Sequence, residues 1–161
     1  MNLVLIEGYE ELYSFDLNKN QVYNIKYKKY LKGGLDSKGY YRVGLCKNSK
    51  VKYFKLHRLI YEFNIGKIPN GLFIDHIDNN PQNNNLDNLR LANNSENQCN
   101  KKNKSKIGYK NIYKTQYNKY RIHIKKNYIT AYDKTFETLE EAILNRDINL
   151  ILIHGKFAKL H

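Results

Sequence analysis

Asp75 and His76 stand side by side, with Leu72, Phe73 and Ile74 leading into them. Apolar and β-favouring residues running into an acid and an imidazole place the pair at the end of a strand. An aspartate oxygen is a hard ligand suited to Mg²⁺ or Mn²⁺, and so is the side-chain carbonyl oxygen of an asparagine such as Asn97. Two protein ligands leave coordination positions for water and for a phosphate oxygen. A neutral histidine beside them can take a proton from water near pH 7. Base, water, divalent ion and phosphate form a minimal kit for phosphodiester hydrolysis. The ion would offset charge on the phosphoryl and leaving 3′ oxygens, and the base would contribute roughly 10²–10⁴ in rate.

The elements that must position these groups follow in order. A polar run carries Asn79, Asn80, Asn83, Asn84 and Asn85 around a turn, with Pro81 inside it. Leu89 to Ala92 reads as a short return strand. Asn93 followed by Glu96 is close to a capping box and starts a helix, with Asn97 on its first turn. Strand, loop, strand and helix place Asp75, His76 and Asn97 close enough to share one ion. The bland alternative is a structural Asp–His hydrogen bond beside an Asn-rich turn.

The whole pattern adds to the pair. His57-Arg58 between Leu56 and Leu59, then Ile74-Asp75-His76, Asn84, Asn88-Leu89-Arg90 and Glu96-Asn97 resemble the HNH nuclease family and its ββα-metal motif. The resemblance covers about residues 51–103. It implies that Asp75 and Asn97 are the ligands of one divalent metal, Mg²⁺ or Mn²⁺, per active site. It implies that His76 is the general base and that Asn88 braces the motif. Asn97 stands where many relatives have histidine.

The chain has 161 residues and a net charge of +13. An excess that large calls for a polyanion, with nucleic acid ahead of an anionic membrane surface. No apolar run approaches the roughly 18 residues of a membrane span, and no signal peptide is visible at the start. The charge is mostly lysine, which suits phosphate neutralisation more than bidentate base reading. Abundant Lys, Asn, Tyr and Ile also fit an A/T-rich coding genome. Cys46 and Cys99 form no C-x-x-C pair, so two small part-buried thiols in a reducing, cytoplasmic setting are expected rather than zinc or a disulfide. The host cytoplasm of a phage- or virus-encoded protein is the expected location.

Residues 1–50 read as short strands and turns, with strands over Gln21–Lys26 and Gly39–Leu45 and a return strand from Val51 after a turn near Asn48-Ser49. Gly8-Tyr9-Glu10 and the run from Gly39-Tyr40 to His57-Arg58 resemble the NUMOD4 module that precedes HNH domains. A helix from His57 to Phe63 follows, with Leu59, Ile60 and Phe63 expected to pack under the catalytic strands and His57 expected to be structural. After Asn97, the run from Cys99 to Lys106 reads as a helix end fading into a basic linker.

Beyond Ile107 three strands are expected, at Lys110–Lys114, Lys119–Lys125 and Tyr128–Tyr132. In the second, Arg121, His123 and Lys125 face one way, and Ile122 and Ile124 the other. A helix capped by Thr138 and Glu141 runs to about His154, with Ala142, Ile143, Ile148, Leu150, Ile151 and Leu152 expected to cover the sheet. The other face stays polar and basic, a shape that enters a major groove. Gly108 to Tyr113, Lys119-Tyr120 to Ile124, Phe136 to Ala142 and His154 to Leu160 resemble the AP2 DNA-binding domain. That resemblance puts Lys110, Tyr113, Thr115, Tyr117, His123, Lys125, Thr130 and Tyr132 on the DNA face, where Arg121 joins them by alternation. Asn111 stands where glycine is usual, and several usual arginine positions hold Tyr or Thr, so base specificity does not carry over.

The fold expected is α+β: a small β-rich N-terminal module (1–50), a ββα-metal HNH core (51–103) and a C-terminal three-stranded sheet plus helix (104–161). Each module is small, so an extended protein that gains order on DNA is expected. The function expected is metal-dependent cutting or nicking of double-stranded DNA by an HNH endonuclease of the homing type. The alternatives are a non-catalytic DNA-binding protein descended from such a nuclease and an RNA-binding protein; divalent-metal-dependent cutting separates the first from both. No membrane partner is expected.

Overall fold

The computed structural model describes residues 1–101, 103, 105 and 107–160. Lys102, Lys104 and Lys106 of the basic run lie outside them. The chain divides into two compact units, residues 1–91 and the residues from Ala92 onward. Both mix small antiparallel sheets with helix. Among the described residues no helix is long and apolar enough to cross a membrane.

In the first unit, β1 (Leu3–Leu5), β2 (Tyr13–Asp16), β3 (Gln21–Asn24) and β4 (Lys29–Tyr30) form one sheet in chain order. β5 (Gly34–Leu35), β6 (Tyr41–Lys47) and β7 (Lys50–Lys55) form a second. Asn48 and Ser49, both at positive φ, make the tight turn between β6 and β7, the backbone that matches strand twist in a two-residue hairpin. Gly33 is needed at its place: its φ is +66°, and a Cβ there would sit 2.7 Å from the Arg42 carbonyl oxygen. α1 (Leu56–Asn64) follows directly, and then the short ribbon of β8 (Phe73–His76) and β9 (Leu89–Ala92).

One core holds this unit. Phe15, Val22, Val43 and Leu45 from the two N-terminal sheets bury together with Leu59 and Ile60 of α1 and Leu89 of β9. The first fifty residues thus share their apolar interior with the strands that carry the candidate site. Phe63 packs against this core, and its ring also stacks on Phe15 of β2, centroids 4.7 Å apart. A helix only nine residues long has one apolar stripe, and the N-terminal sheet supplies the larger apolar partner.

The second unit begins with α2 (Asn94–Asn100), closed by a full capping box between Asn93 and Glu96. β10 (Ile112–Lys114), β11 (Tyr120–Lys126) and β12 (Ile129–Phe136) form an antiparallel sheet in that order, followed by α3 (Leu139–His154), capped by Thr138 and Glu141. Ile112, Ile122 and Ile124 are fully buried with Ala142 and Leu150 of α3. Ile148, Ile151 and Leu152, expected on that face, are exposed instead. Apolar residues occur all round α3, so composition did not mark the stripe; the spacing Leu139, Ala142, Ile143, Arg146, Leu150, Ile153 does. Arg146 occupies a core position at 1% exposure, pairing with Asp147 and donating to the Leu160 carbonyl. Cys46, expected to be part-buried, is exposed, and Cys99 is half-buried.

Phe15→Ala removes a fully buried ring and the stack on Phe63, and should lower unfolding stability by about 3–5 kcal/mol, read by urea denaturation. His57, at the start of α1, is 4% exposed; burial, helped by His76, Lys55 and Arg58, pushes its pKa down to about 3 from 6.5. The unfolded chain therefore binds a proton below about pH 6.5 that the folded chain refuses, so stability present above that pH is lost as pH falls toward 3. The His57 share should be on the order of 2 kcal/mol by about pH 4.5, and subtracting the pH profile of His57→Gln from that of the wild type should reveal it.

Candidate active site

β8 presents Asp75 and His76 in succession, both only 5% exposed. Neighbours on a strand point to opposite faces, and the two acquire different surroundings. Asp75 meets the opposing strand: Arg90 of β9 donates from Nε to Asp75 Oδ2 at 2.8 Å. The guanidinium is itself 14% exposed, so this is a buried ion pair that fixes the carboxylate's orientation. His76 meets the loop: its Nε2 lies 3.1 Å from Oδ1 of Asn84. An amide oxygen only accepts, so in this contact Nε2 is the donor.

Two aromatic groups wall the imidazole. His57 stands edge-on to His76 with centroids 5.0 Å apart, and Tyr40 lies 5.7 Å from His76 and 5.2 Å from His57. His57 is thus buried, as a structural histidine would be, yet it touches the candidate base. Its Nδ1 is buried without a hydrogen-bond partner, in keeping with the neutral ring that its depressed pKa requires.

The Asn-rich loop is a hydrogen-bonded clamp. Asn88 accepts from the Asp78 backbone N–H at 3.1 Å and donates to Asp78 Oδ1 at 3.0 Å and to the Asn83 carbonyl at 2.8 Å. Asn83 donates to Asp78 Oδ2 at 2.7 Å. Burial alone would raise the Asp78 carboxyl; the N–H donors of Asn80, Asn83 and Asn88 outweigh it and hold the pKa below the usual carboxylate value. Asn79 takes the left-handed turn, φ +61°, which asparagine tolerates. The sequence pattern contains Asn84 and Arg90 without assigning either a role. The signal for Arg90 was legible: it is the one charged residue of β9, facing the strand that buries an acid.

Asn97 lies on the first turn of α2 and is half-buried, its backbone N–H bonded to the Asn93 carbonyl at 3.0 Å. Among the described residues no three His, Cys, Asp or Glu side chains converge on a metal-sized site, which is not the chemistry of a zinc cage. A donor set of one carboxylate and one amide oxygen fits a hard ion that keeps most of its water.

In the second unit, strand register sorts the residues expected on a DNA face. Tyr113 pairs with Arg121, and His123 with Asp133, on the side opposite Ile122 and Ile124. Arg121 forks onto Asp133 through two hydrogen bonds. His123 Nε2 is 3.1 Å from Thr130 Oγ1, while Thr115 binds the Lys119 backbone in a turn beside an exposed Tyr117. A bulge follows Ile124, and Lys125 pairs with Thr130. Two residues fall elsewhere. Tyr132 is paired with buried Ile124 and packs against the core under α3, because paired residues share a face. Lys110 donates to the carbonyls of Gln98, Cys99 and Lys101 at the end of α2, taking up its three N–H groups where a helix end leaves acceptors unmet.

Comparison with known proteins places these groups in a family setting. Residues 54–99 match the HNH endonuclease family. Over 85 residues the chain is 42% identical to DNA endonuclease I-HmuI of Bacillus phage SP01, covering 53% of this chain and 48% of that protein. Over 105 residues it is 39% identical to an uncharacterized HNH endonuclease of Acanthamoeba polyphaga mimivirus, covering 65% of this chain and 55% of that one. The chain spans about half the length of these curated relatives. A solved structure of DNA binding and cleavage by the HNH homing endonuclease I-HmuI is similar over 100% of this chain and 93% of that one, at 29% identity and a TM-score of 0.55. Residues 54–99 are therefore an HNH endonuclease domain, in a chain homologous to a phage homing endonuclease.

Proposed function

We propose that the protein is a divalent-metal-dependent endonuclease that nicks or cuts double-stranded DNA, of the homing type, with His76 as its general base. The observation that carries this is the pairing of His76 Nε2 with Asn84 Oδ1 at 3.1 Å, beside a buried Asp75, inside the residues that match the HNH family. Asp75 and Asn97 are the proposed protein ligands of Mg²⁺ or Mn²⁺. Once bound, such an ion supplies positive charge to the phosphoryl and leaving oxygens.

The chain's own residues do the rest. Asn84 holds the tautomer in which His76 Nδ1 accepts a proton. Water gives that proton to Nδ1 as its oxygen bonds to phosphorus; the bond to O3′ breaks, and the departing oxygen takes a proton from solvent. The products are a 5′ phosphate and a 3′ hydroxyl. Arg90 keeps the Asp75 carboxylate in one orientation, and Asn88 braces the loop that brings Asn84 to the imidazole. Residues 1–50 act as a NUMOD4-like docking module. The C-terminal sheet acts as an AP2-like DNA-binding surface, carried by Tyr113, Thr115, Tyr117, Arg121, His123, Lys125 and Thr130. Many lysine contacts to phosphate give binding a steep salt dependence.

Supercoiled plasmid incubated with Mg²⁺ or Mn²⁺ should yield relaxed or linear product, and a chelator should abolish it. His76→Ala should slow cutting by at least roughly 10² with duplex affinity kept, and Asn84→Ala should fall between it and the wild type. Cutting by His76→Ala at the wild-type rate would remove His76 from the base role. A retarded duplex with no metal-dependent product would favour a binding protein descended from a nuclease.

Arg90→Ala removes the Nε donor that orients the buried Asp75 carboxylate. It should cost roughly 3–5 kcal/mol of stability. Added Mn²⁺ should restore more of this loss than it adds to the wild type, because an ion bound to the folded state takes over part of the counter-charge. Thermal unfolding with and without Mn²⁺ checks both; equal metal effects on the two proteins would separate Asp75 from the metal.

A further inference from the structure

The second unit contains a cavity of about 360 Å³ into which the proposed DNA surface continues, since Tyr113, His123 and Lys125 belong to both. Its walls come from α2, the β10–β12 sheet, the end of α3 and the segment that follows it. Lys110, Lys125, Lys159, His123 and His154 line it, and no carboxylate does among the described residues. Burial, with Lys159 and Lys101 nearby, holds the Lys110 ammonium below its ordinary pKa; burial, with Lys126 and Lys110 nearby, does the same to His154. Positive charge is thus gathered in a concave, partly desolvated place without its counter-charge. Lys110 and Lys126 have already given their donors to backbone carbonyls. Lys125 and Lys159 have no side-chain hydrogen bond or ion pair among the described residues. An anion would satisfy both.

A second observation is independent of charge. Asn127 and Tyr128 form the β11–β12 turn, both at positive φ, 50° and 68°. That geometry favours Asn-Gly; a tyrosine in the left-handed region costs roughly 1 kcal/mol. The strained residue also lines the cavity, with 76% of its surface exposed. Turn chemistry alone would place glycine there. An exposed ring held at such a cost beside unpaired ammonium groups is a stacking platform for a sugar or base.

We propose that this cavity holds one nucleotide, its phosphate on Lys125 and Lys159 and its sugar or base against Tyr128. The inference rests on the reading of the chain as a DNA-binding protein, and it adds Lys159 and Tyr128 to the residues proposed for that surface. The nucleotide belongs either to a DNA strand or to a free mononucleotide; the chemistry is shared, and the experiment separates the sources.

The test uses the full chain in a His76→Ala background, so binding is read without cutting. Fluorescence anisotropy of a labelled duplex is followed against salt. Lys159→Gln should make the slope of log affinity against log salt shallower by about 0.9. Tyr128→Gly should weaken binding roughly tenfold while its melting temperature holds or rises, because the strain is relieved. In a chain that also carries Cys46→Ser, the remaining thiol, Cys99, lines the cavity; duplex should slow its alkylation if the site takes a strand, and thymidine monophosphate alone should do so if it takes free nucleotide. Unchanged slope and affinity in both variants, with no protection of Cys99, would overturn the proposal. A fall in both affinity and melting temperature in Tyr128→Gly would also overturn it, by reducing the tyrosine to a turn residue. Failure here leaves plasmid cutting by the wild type as a separate question, and failure to cut leaves these affinities intact.

Discussion

A carboxylate buried at 5% exposure needs a hydrogen-bonded partner. Asp75 meets that demand through Arg90, one strand away, and much else in the first unit answers to this contact. It ties β8 to β9 across the ribbon, with Nε 2.8 Å from Oδ2. It leaves His76 facing the other way, where an acceptor is needed for Nε2, and Asn84 supplies it. The loop between the strands must then be rigid enough to hold Asn84 in place. Asn88, Asn83 and Asp78 make it so through a closed set of hydrogen bonds. The Asn-rich composition of this stretch is explained by that network: short amide side chains both donate and accept, and they tolerate the left-handed turn at Asn79.

The parts of this arrangement that follow local rules were legible in the chain. β8, β9, the capping box at Asn93 and Glu96, and the helix capped by Thr138 all rest on patterns a few residues long, where composition and backbone preference agree. Contacts between residues far apart in the chain were not legible in the same way. Phe63 has the right spacing for a helix face, but nothing local says that its partner is Phe15. Tyr132 alternates correctly as a strand residue, yet its face depends on the pairing with Ile124 and on the bulge after it. The stripe of α3 was misread because apolar residues surround that helix and an arginine holds a core position. Lys110 resembles a phosphate ligand by type, and only the position of the end of α2 turns it into a strut.

That last case bears on how a net charge of +13 should be understood. A lysine or arginine is available to a polyanion only if its donors are not already used. Lys110 and Lys126 close backbone carbonyls, Arg121 is matched by Asp133, and Arg146 is buried against Asp147. The open face of the C-terminal sheet is accordingly less basic than its residue types imply. Among the described residues, Lys125 and Lys159 keep their donors and both line the cavity beside α2, so the electrostatic footprint of this unit is sharper than a count of lysines would give.

The candidate site is carried by a two-stranded ribbon, an element that is marginal by itself in water. Its rigidity has to come from elsewhere in the unit. Leu89 of β9 enters the same core as Phe15, Val22, Leu59 and Ile60, and His57 at the start of α1 packs on His76 directly. The N-terminal sheets are therefore part of what positions His76, whatever else they touch. Geometry at the scissile phosphate tolerates errors of well under an ångström. A substitution as distant in the chain as Phe15 is then a substitution in the support of the imidazole, and the division into a scaffold segment and a nuclease segment describes the sequence better than it describes the forces.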